Sequence, residues 1–195
     1  MTVSEFLAWA EKQPRGRYEL WNGQPVEMSP ERVRHAKMKY VIAKALEAGI
    51  RRAELPCHML PDGMTVRIDD RTAFEPDALV YCGPELAGDD ILVPSPMVIV
   101  EVLSPGTASI DTGLKFESYF SLSSVMHYLI VSPDRRVLTH HARRTKIETD
   151  IIREGEVRLD PPGLVFRLDE IFGQTRLAPI IPASTAAGAA ATAPA

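Results

Sequence analysis

The sequence predicts an α/β (α+β) fold: a mixed central β-sheet flanked by helices, with an added antiparallel meander. Three observations predict it. The run Val98-Ile99-Val100-Glu101-Val102-Leu103 is apolar at five of its six positions and rich in β-branched residues, as a buried central strand is. A helical pattern from Asp111 to about Leu122 and a second apolar run, His127 to Val131, follow it. A strand, a helix and a strand in that order make parallel neighbours. Beyond Pro133-Asp134, three short runs (Arg136–His141, Lys146–Ile152 and Val157–Leu159) read as the meander.

Taken in order, Val3, Phe6, Leu7 and Ala10 recur at helical spacing after Thr2 or Ser4, which predicts a short amphipathic helix. Arg17–Trp21, Asn22-Gly23 and Gln24–Met28 form a hairpin pattern. Asn-Gly tolerates the positive φ of a two-residue turn, and Pro25 confines the second arm to an edge. Ser29-Pro30 predicts the start of a long helix, with Gly49 as its stop. Glu31–Glu54 holds Arg32, Arg34, Lys37, Lys39, Lys44, Arg51 and Arg52 against Glu31, Glu47 and Glu54, so this helix is locally basic. Cys57–Leu60 and Met64–Ile68 are strands around a Pro61-Asp62-Gly63 turn, and Glu75–Tyr81 is a strand with Asp77 at its beginning. Gly83–Pro94 is connecting loop, and Leu168–Phe172 is a last short helix. A single domain over residues 1–178 is expected, followed by a disordered Ala/Pro-rich tail over residues 179–195, too poor in bulky side chains to pack.

The 195-residue chain carries 45% hydrophobic and 25% charged residues with a formal net charge of −4, ordinary values for a globular domain. That balance excludes a surface coated in positive charge while leaving room for a local basic face. No run approaches the roughly 18 apolar residues of a membrane span. Residues 1–9 lack the basic start and apolar run of a secretory signal. Cys57 and Cys82 lack metal-ligand spacing and are expected as reduced structural thiols, with neither disulfide nor zinc site, which points to the cytoplasm.

Glu101 interrupts the most apolar strand of the chain. A carboxylate there costs several kcal/mol unless it is paired, protonated or metal-bound. It lies near the carboxyl end of its strand, the edge where ligands gather in open α/β sheets. Asp77, opening another strand, and Lys115, on the helix after Glu101, come from elements that can converge on it. Two carboxylates on adjacent strands suit a hard divalent cation, and Lys115 suits charge developing on a phosphate. Glu19, on the first hairpin, is a further ligand or a brace for one.

Each of these residues has a structural alternative. For Glu101 it is a buried ion pair with Lys115, and for Asp77 bonds to turn amides. For Asp111 it is a helix cap or an i,i+4 pair with Lys115. His35 is a phosphate contact, a proton shuttle or a structural histidine. Arg34 and Lys37 on the basic helix, and Arg143 and Arg144 in the meander, are candidate contacts to a DNA backbone, the alternative being solvated faces. His140 and His141 are adjacent on a strand, so they face opposite sides and make poor joint metal ligands.

Tyr18-Glu19-Leu20 with Asn22-Gly23, His35, Pro76-Asp77, Val100-Glu101-Val102-Leu103-Ser104-Pro105, Asp111-x-x-x-Lys115-x-x-x-Tyr119 and Ile130-Val131-Ser132-Pro133 together resemble the bacterial "putative restriction endonuclease" family of the PD-(D/E)XK nuclease superfamily. The resemblance spans residues 5–170. It implies a restriction endonuclease-like fold and Mg²⁺-dependent (Mn²⁺ as substitute) endonucleolytic cleavage of DNA. Asp77, Glu101 and Glu19 would be metal ligands, Lys115 the catalytic lysine, and Asp111 and His35 auxiliaries. A homodimer suits cleavage of both strands. Leu103 stands where the superfamily's (D/E)-x-K has lysine, and the resemblance assigns that role to Lys115. The reading from another class is a catalytically inactive nuclease-like fold that binds nucleic acid or a protein.

Overall fold

The computed structural model describes residues 1–103 and 113–173. Helix α1 (Val3–Ala10) is capped by Thr2, whose hydroxyl accepts from the Glu5 N–H while the Glu5 carboxylate accepts from the Thr2 N–H. It buries Val3 and Phe6 against Leu20 and Ala73. The hairpin β1 (Tyr18–Trp21) and β2 (Gln24–Glu27) turns through Asn22 at φ 47° and Gly23 at φ 83°, as the two-residue turn requires. With β4 (Val66–Arg67) and β5 (Ala73–Phe74) it forms a small sheet of order β2-β1-β5-β4, and Pro25 lies on its edge.

The long helix α2 (Val33–Arg52) begins later than Ser29-Pro30 predicts, and Arg32 occupies the cap position without a side-chain cap. It also runs through Gly49. A Cβ there would lie 2.9 Å from the Val165 carbonyl oxygen, so this glycine permits close approach of helix and strand rather than ending the helix.

The main sheet has six strands in the order β10-β9-β8-β7-β6-β3. They are β3 (Cys57–Pro61), β6 (Ala78–Cys82), β7 (Pro96–Val102), β8 (His127–Ser132), β9 (Val137–Arg143) and β10 (Ile147–Ile152). Neighbours β7 and β8 are parallel, joined through α3 (Leu114–Ser121) as the strand–helix–strand pattern predicts; the other pairs are antiparallel. The mixed α+β architecture is therefore as expected, but the meander divides. Strands β9 and β10 extend the main sheet, whereas β11 (Glu156–Leu159) leaves it and pairs with β12 (Leu164–Arg167), a strand the sequence reading leaves as loop. This ribbon and α4 (Leu168–Phe172) pack on α2. Asp111, and the tail beyond residue 173, lie outside the described residues.

Alternation along β7 sends Val98, Val100 and Val102 to the face covered by α2 and the ribbon, with Ile42, Leu46, Leu164 and Phe166. Ile99 goes to the opposite face, with Phe74, Tyr119 and Tyr128. On β8 and β9 the His127 Nδ1 and His140 Nε2 lie 2.9 Å apart in the interior, and His127 Nε2 donates to the Pro161 carbonyl at 2.7 Å. His141 turns the other way, to Thr149 Oγ1 at 2.8 Å, as adjacent strand positions require.

The cysteine expectation is overturned: Cys57 and Cys82 are disulfide-bonded. They are direct partners in the β3–β6 register, which brings them together although 25 residues separate them. The thiol argument for a reducing compartment falls with it. Among the described residues, no helix is long and apolar enough to cross a membrane.

Candidate active site

Antiparallel pairing places the start of β6 beside the end of β7, with Ala78 opposite Val100, and the end of β3 beside the start of β6, with Pro61 opposite Ala78. Three acids thereby reach one edge of the main sheet: Asp62 just after β3, Asp77 just before β6, and Glu101 near the end of β7. Asp77 clasps β7 on both sides of Glu101. Its N–H donates to the Val100 carbonyl at 3.0 Å, and its Oδ2 accepts from the Val102 N–H at 2.6 Å.

Glu101 is 5% exposed and Lys115 5%, on the α3 side of the sheet. The Lys115 ammonium donates to Glu101 Oε1 at 3.0 Å and to Glu19 Oε1 at 2.9 Å. The Tyr119 hydroxyl, one helical turn from Lys115, also donates to Glu101 Oε1 at 3.0 Å. Burial, and then the charges of Glu101 and Glu19, hold this phenol well above its ordinary range, so Tyr119 stays a donor. Glu19 is fixed by the Glu75 N–H on Oε1 at 3.1 Å and by the Trp21 indole N–H on Oε2 at 3.1 Å. The ion pair with Lys115, the structural alternative for Glu101, is present, and it includes Glu19.

On the α2 side, Asp77 Oδ1 meets the Lys39 ammonium at 2.9 Å. Lys39 also reaches Glu31 at 2.6 Å and Asp62 at 2.7 Å, and Arg17 bridges Asp62 at 2.7 Å and Glu75 at 2.7 Å. Burial pulls the Lys39 ammonium toward neutrality, but Asp77, Asp62 and Glu31 outweigh it and hold it above its ordinary range. Burial likewise raises Asp62 and Glu31, yet their bonds to Lys39, with Arg17 and His35, leave both below the ordinary carboxylate range. His35 Nε2 faces the Val102 carbonyl at 2.6 Å and Asp77 Oδ2 at 3.7 Å, and its Nδ1 faces Glu31 at 2.8 Å. Both ring nitrogens thus meet oxygen acceptors.

These contacts close a circuit from Glu101 through Lys115, Glu19, Glu75, Arg17, Asp62 and Lys39 to Asp77, and back to β7 at Val102. Four of the sequence-predicted residues (Glu19, Asp77, Glu101 and Lys115) belong to it, and His35 borders it at Val102 and Asp77. Arg34 lies at the same end of the molecule, 3.4 Å from Asp134 in the turn after β8, and Lys37 is exposed on the outer side of α2. Arg143 and Arg144 do not join the site. The Arg143 N–H bonds the Met126 carbonyl beside the start of β8, at the opposite end of the sheet from Glu101. Its guanidinium is turned onto the carbonyls of Phe120, Leu122 and Val125, where it closes the C-terminus of α3. Arg144 is exposed and paired with Glu148 at 3.3 Å.

The sequence reading counts Lys39 among the solvated charges of a basic helix. Spacing contains the signal that reveals it: His35, Lys39, Ile42 and Leu46 share one helical face, and Ile42 and Leu46 are fully buried. Asp62, Arg17 and Glu75 carry no comparable signal, since turns and strand ends hold such residues routinely.

Residues 3–169 match one family, Uma2, described as "Putative restriction endonuclease". The chain belongs to the Uma2 family. It is 27% identical over 137 residues to an uncharacterized protein of Synechocystis sp., the match covering 68% of each chain. Its fold is similar to the crystal structure of a putative nuclease belonging to DUF820 from Anabaena variabilis, with a TM-score of 0.67 and 15% identity over 89% of this chain and 98% of that one. That likeness establishes the fold, a mixed central sheet flanked by helices, as one shared with that protein.

Among the described residues of this Uma2 chain, no group of three or more His, Cys, Asp or Glu side chains is arranged to hold a metal ion. A hard cation such as Mg²⁺ needs fewer, because it takes one or two carboxylates and keeps water and substrate phosphate on its other positions. The charge of the circuit bears directly on whether it fits. Among the described residues, the buried carboxylates of Glu19, Asp77 and Glu101 face the buried ammoniums of Lys39 and Lys115, while Glu31, Asp62, Glu75 and Arg17 lie on the more exposed side. A divalent cation at the edge shared by Asp77 and Glu101 would add positive charge where these carboxylates are buried. On charge and on donor type, the residues fit the ion.

Proposed function

We propose that this chain is a Mg²⁺-dependent endonuclease that hydrolyses phosphodiester bonds in DNA, with Mn²⁺ able to substitute. The observation that carries the reading is Glu101, a carboxylate buried in the central strand, clasped by Asp77 and bonded to a buried lysine. Asp77 and Glu101 would hold the ion, with Glu19 as a further ligand or as the brace of Lys115. Once bound, the ion supplies a Lewis acid for the phosphate and a source of hydroxide near neutral pH. Lys115 sets a positive charge against the negative charge that develops on the phosphate as one P–O bond forms to water and another breaks. Tyr119 holds the Glu101 carboxylate in place, and His35 serves as an auxiliary proton carrier beside Asp77. Arg34 and Lys37 contact the backbone of the bound DNA. Two copies acting as a homodimer would cut both strands.

Plasmid nicking in Mg²⁺ or Mn²⁺ tests the reading. Glu101→Ala and Lys115→Ala, each checked for folding, should lose at least about a hundredfold in rate; wild-type rates in both would refute the assignment. The engagement of Lys115 with both Glu19 and Glu101 favours a second reading, a silent nuclease-like module that binds nucleic acid. Divalent-ion binding without nicking would select it.

A further inference from the structure

Lys39 lies outside every motif by which the site was found, yet it makes the contacts that orient one of its two central acids. It is 9% exposed, on the inward face of α2 one turn after His35. Its ammonium lies 2.6 Å from Glu31, 2.7 Å from Asp62 and 2.9 Å from Asp77 Oδ1. Asp77 contributes Oδ1 to Lys39 and Oδ2 to the Val102 N–H, so its carboxylate plane is set by two bonds from two different elements. Glu31 and Asp62 hold the ammonium from the other side, and Arg17 holds Asp62.

We infer that Lys39 is a positioning residue: its ammonium, seated among Glu31, Asp62 and Asp77, fixes the Asp77 carboxylate at the sheet edge it shares with Glu101. The inference rests on the reading of Asp77 as a working carboxylate. The physical reason is geometric and electrostatic together. An aspartate just ahead of its strand has rotamer freedom that one backbone bond does not remove, and a displacement of about 1 Å at a reacting centre costs on the order of a hundredfold in rate. A buried ammonium removes that freedom. It also keeps three neighbouring carboxylates from repelling one another. Lys39 itself need not touch substrate; it acts through Asp77, as Lys115 and Tyr119 act on Glu101 from the opposite face. Each central acid therefore has its own helix-borne lysine, and sequence motifs report only one of the two.

The test compares full-length wild type, Lys39→Met and Glu31→Gln. Two quantities are followed: single-turnover nicking with Mn²⁺ against DNA concentration, and hydrogen exchange of the Val102 amide. Lys39→Met should nick at least about tenfold more slowly, with the half-saturating DNA concentration changed less than about threefold. Its Val102 amide should exchange at least about tenfold faster while the amides of Ile99 and Leu129 keep their protection. Glu31→Gln, which leaves the ammonium charged but loosens its seat, should show both effects at smaller size and carries the test if Lys39→Met does not fold. A folded variant with nicking within twofold of wild type overturns the inference, as does unchanged Val102 exchange. Wild type that never nicks sinks the nuclease reading instead, and the amide measurement then decides alone whether Lys39 positions Asp77.

Discussion

Lys115 donates to two carboxylates at once, and all three groups are buried, so the balance here is between pairing and desolvation rather than surface attraction. Lys115→Met should destabilise the fold by about 3–5 kcal/mol, because it removes the buried ammonium that Glu19 and Glu101 share. Adding Glu101→Gln to that variant should recover part of the loss; denaturant unfolding of the single and double variants measures it, and strict additivity would show that the two do not interact. Tyr119→Phe removes one donor from Glu101 and should cost about 1–3 kcal/mol. At this scale the sequence was informative where a residue contradicts its surroundings. Glu101 among valines announced itself, Asp77 followed from the strand before it and Lys115 from the helix after it. Lys39 did not, because a lysine on a basic helix looks like every other solvated lysine until the buried face of the helix is known. Asp62 and Arg17 did not either, since their partners on α2, after β5 and ahead of β1 are brought together only by tertiary packing.

Helix α2 meets the β11–β12 ribbon through Gly49, where two effects oppose. Alanine in a helix interior is favoured over glycine by about 1 kcal/mol, but a Cβ 2.9 Å from a backbone carbonyl forces helix and strand apart, at about 1–3 kcal/mol. Gly49→Ala should therefore lower the melting temperature, and an unchanged or raised value would show that the ribbon yields. For α3, Arg143→Ala removes the donors that close three carbonyls and should cost about 1–3 kcal/mol while leaving the salt dependence of DNA binding unchanged. Arg34→Ala, at the end of the sheet that carries Glu101, should reduce that salt slope by about one if the proposed DNA contact is made. Elements with strong periodicity (α1, β7, β8 and α3) were readable from the chain, as was the Asn22-Gly23 hairpin with its demanded backbone angles. Strand β12 was hidden because four residues after Pro-Pro-Gly carry too little pattern. The start of α2 was misplaced because Ser29-Pro30 offers good capping chemistry that tertiary packing does not use.

Across the whole molecule, acid should act first on the histidines between β8 and β9. Burial, and then neighbouring His127, push His140 down to about 4 from an ordinary 6.5. Between those values the unfolded chain takes up a proton that the folded chain refuses, so stability is complete above pH 6.5 and declines as pH falls toward 4, by about 3 kcal/mol in total. His127, held low mainly by its burial, adds in the same direction. Asp62 and Glu31 also sit below their ordinary 3.8 and 4.5, so their contribution is lost from the acid end of the histidine window downward. Guanidinium unfolding at pH 7.5, 5.5 and 4.5 measures the slope, and His140→Gln should flatten it. A slope unchanged in that variant would assign the acid sensitivity elsewhere.

The covalent bond between Cys57 and Cys82 cinches a span whose ends are 25 residues apart, and that span carries Asp62, Glu75 and Asp77. Glu19, Glu101 and Lys115 all lie outside it. A reducing agent should thus act unevenly on the candidate site, forfeiting about 3–4 kcal/mol of chain constraint, felt chiefly by the half built on Asp77. The half built on Lys115, whose helix and strand lie outside that span, should outlast it.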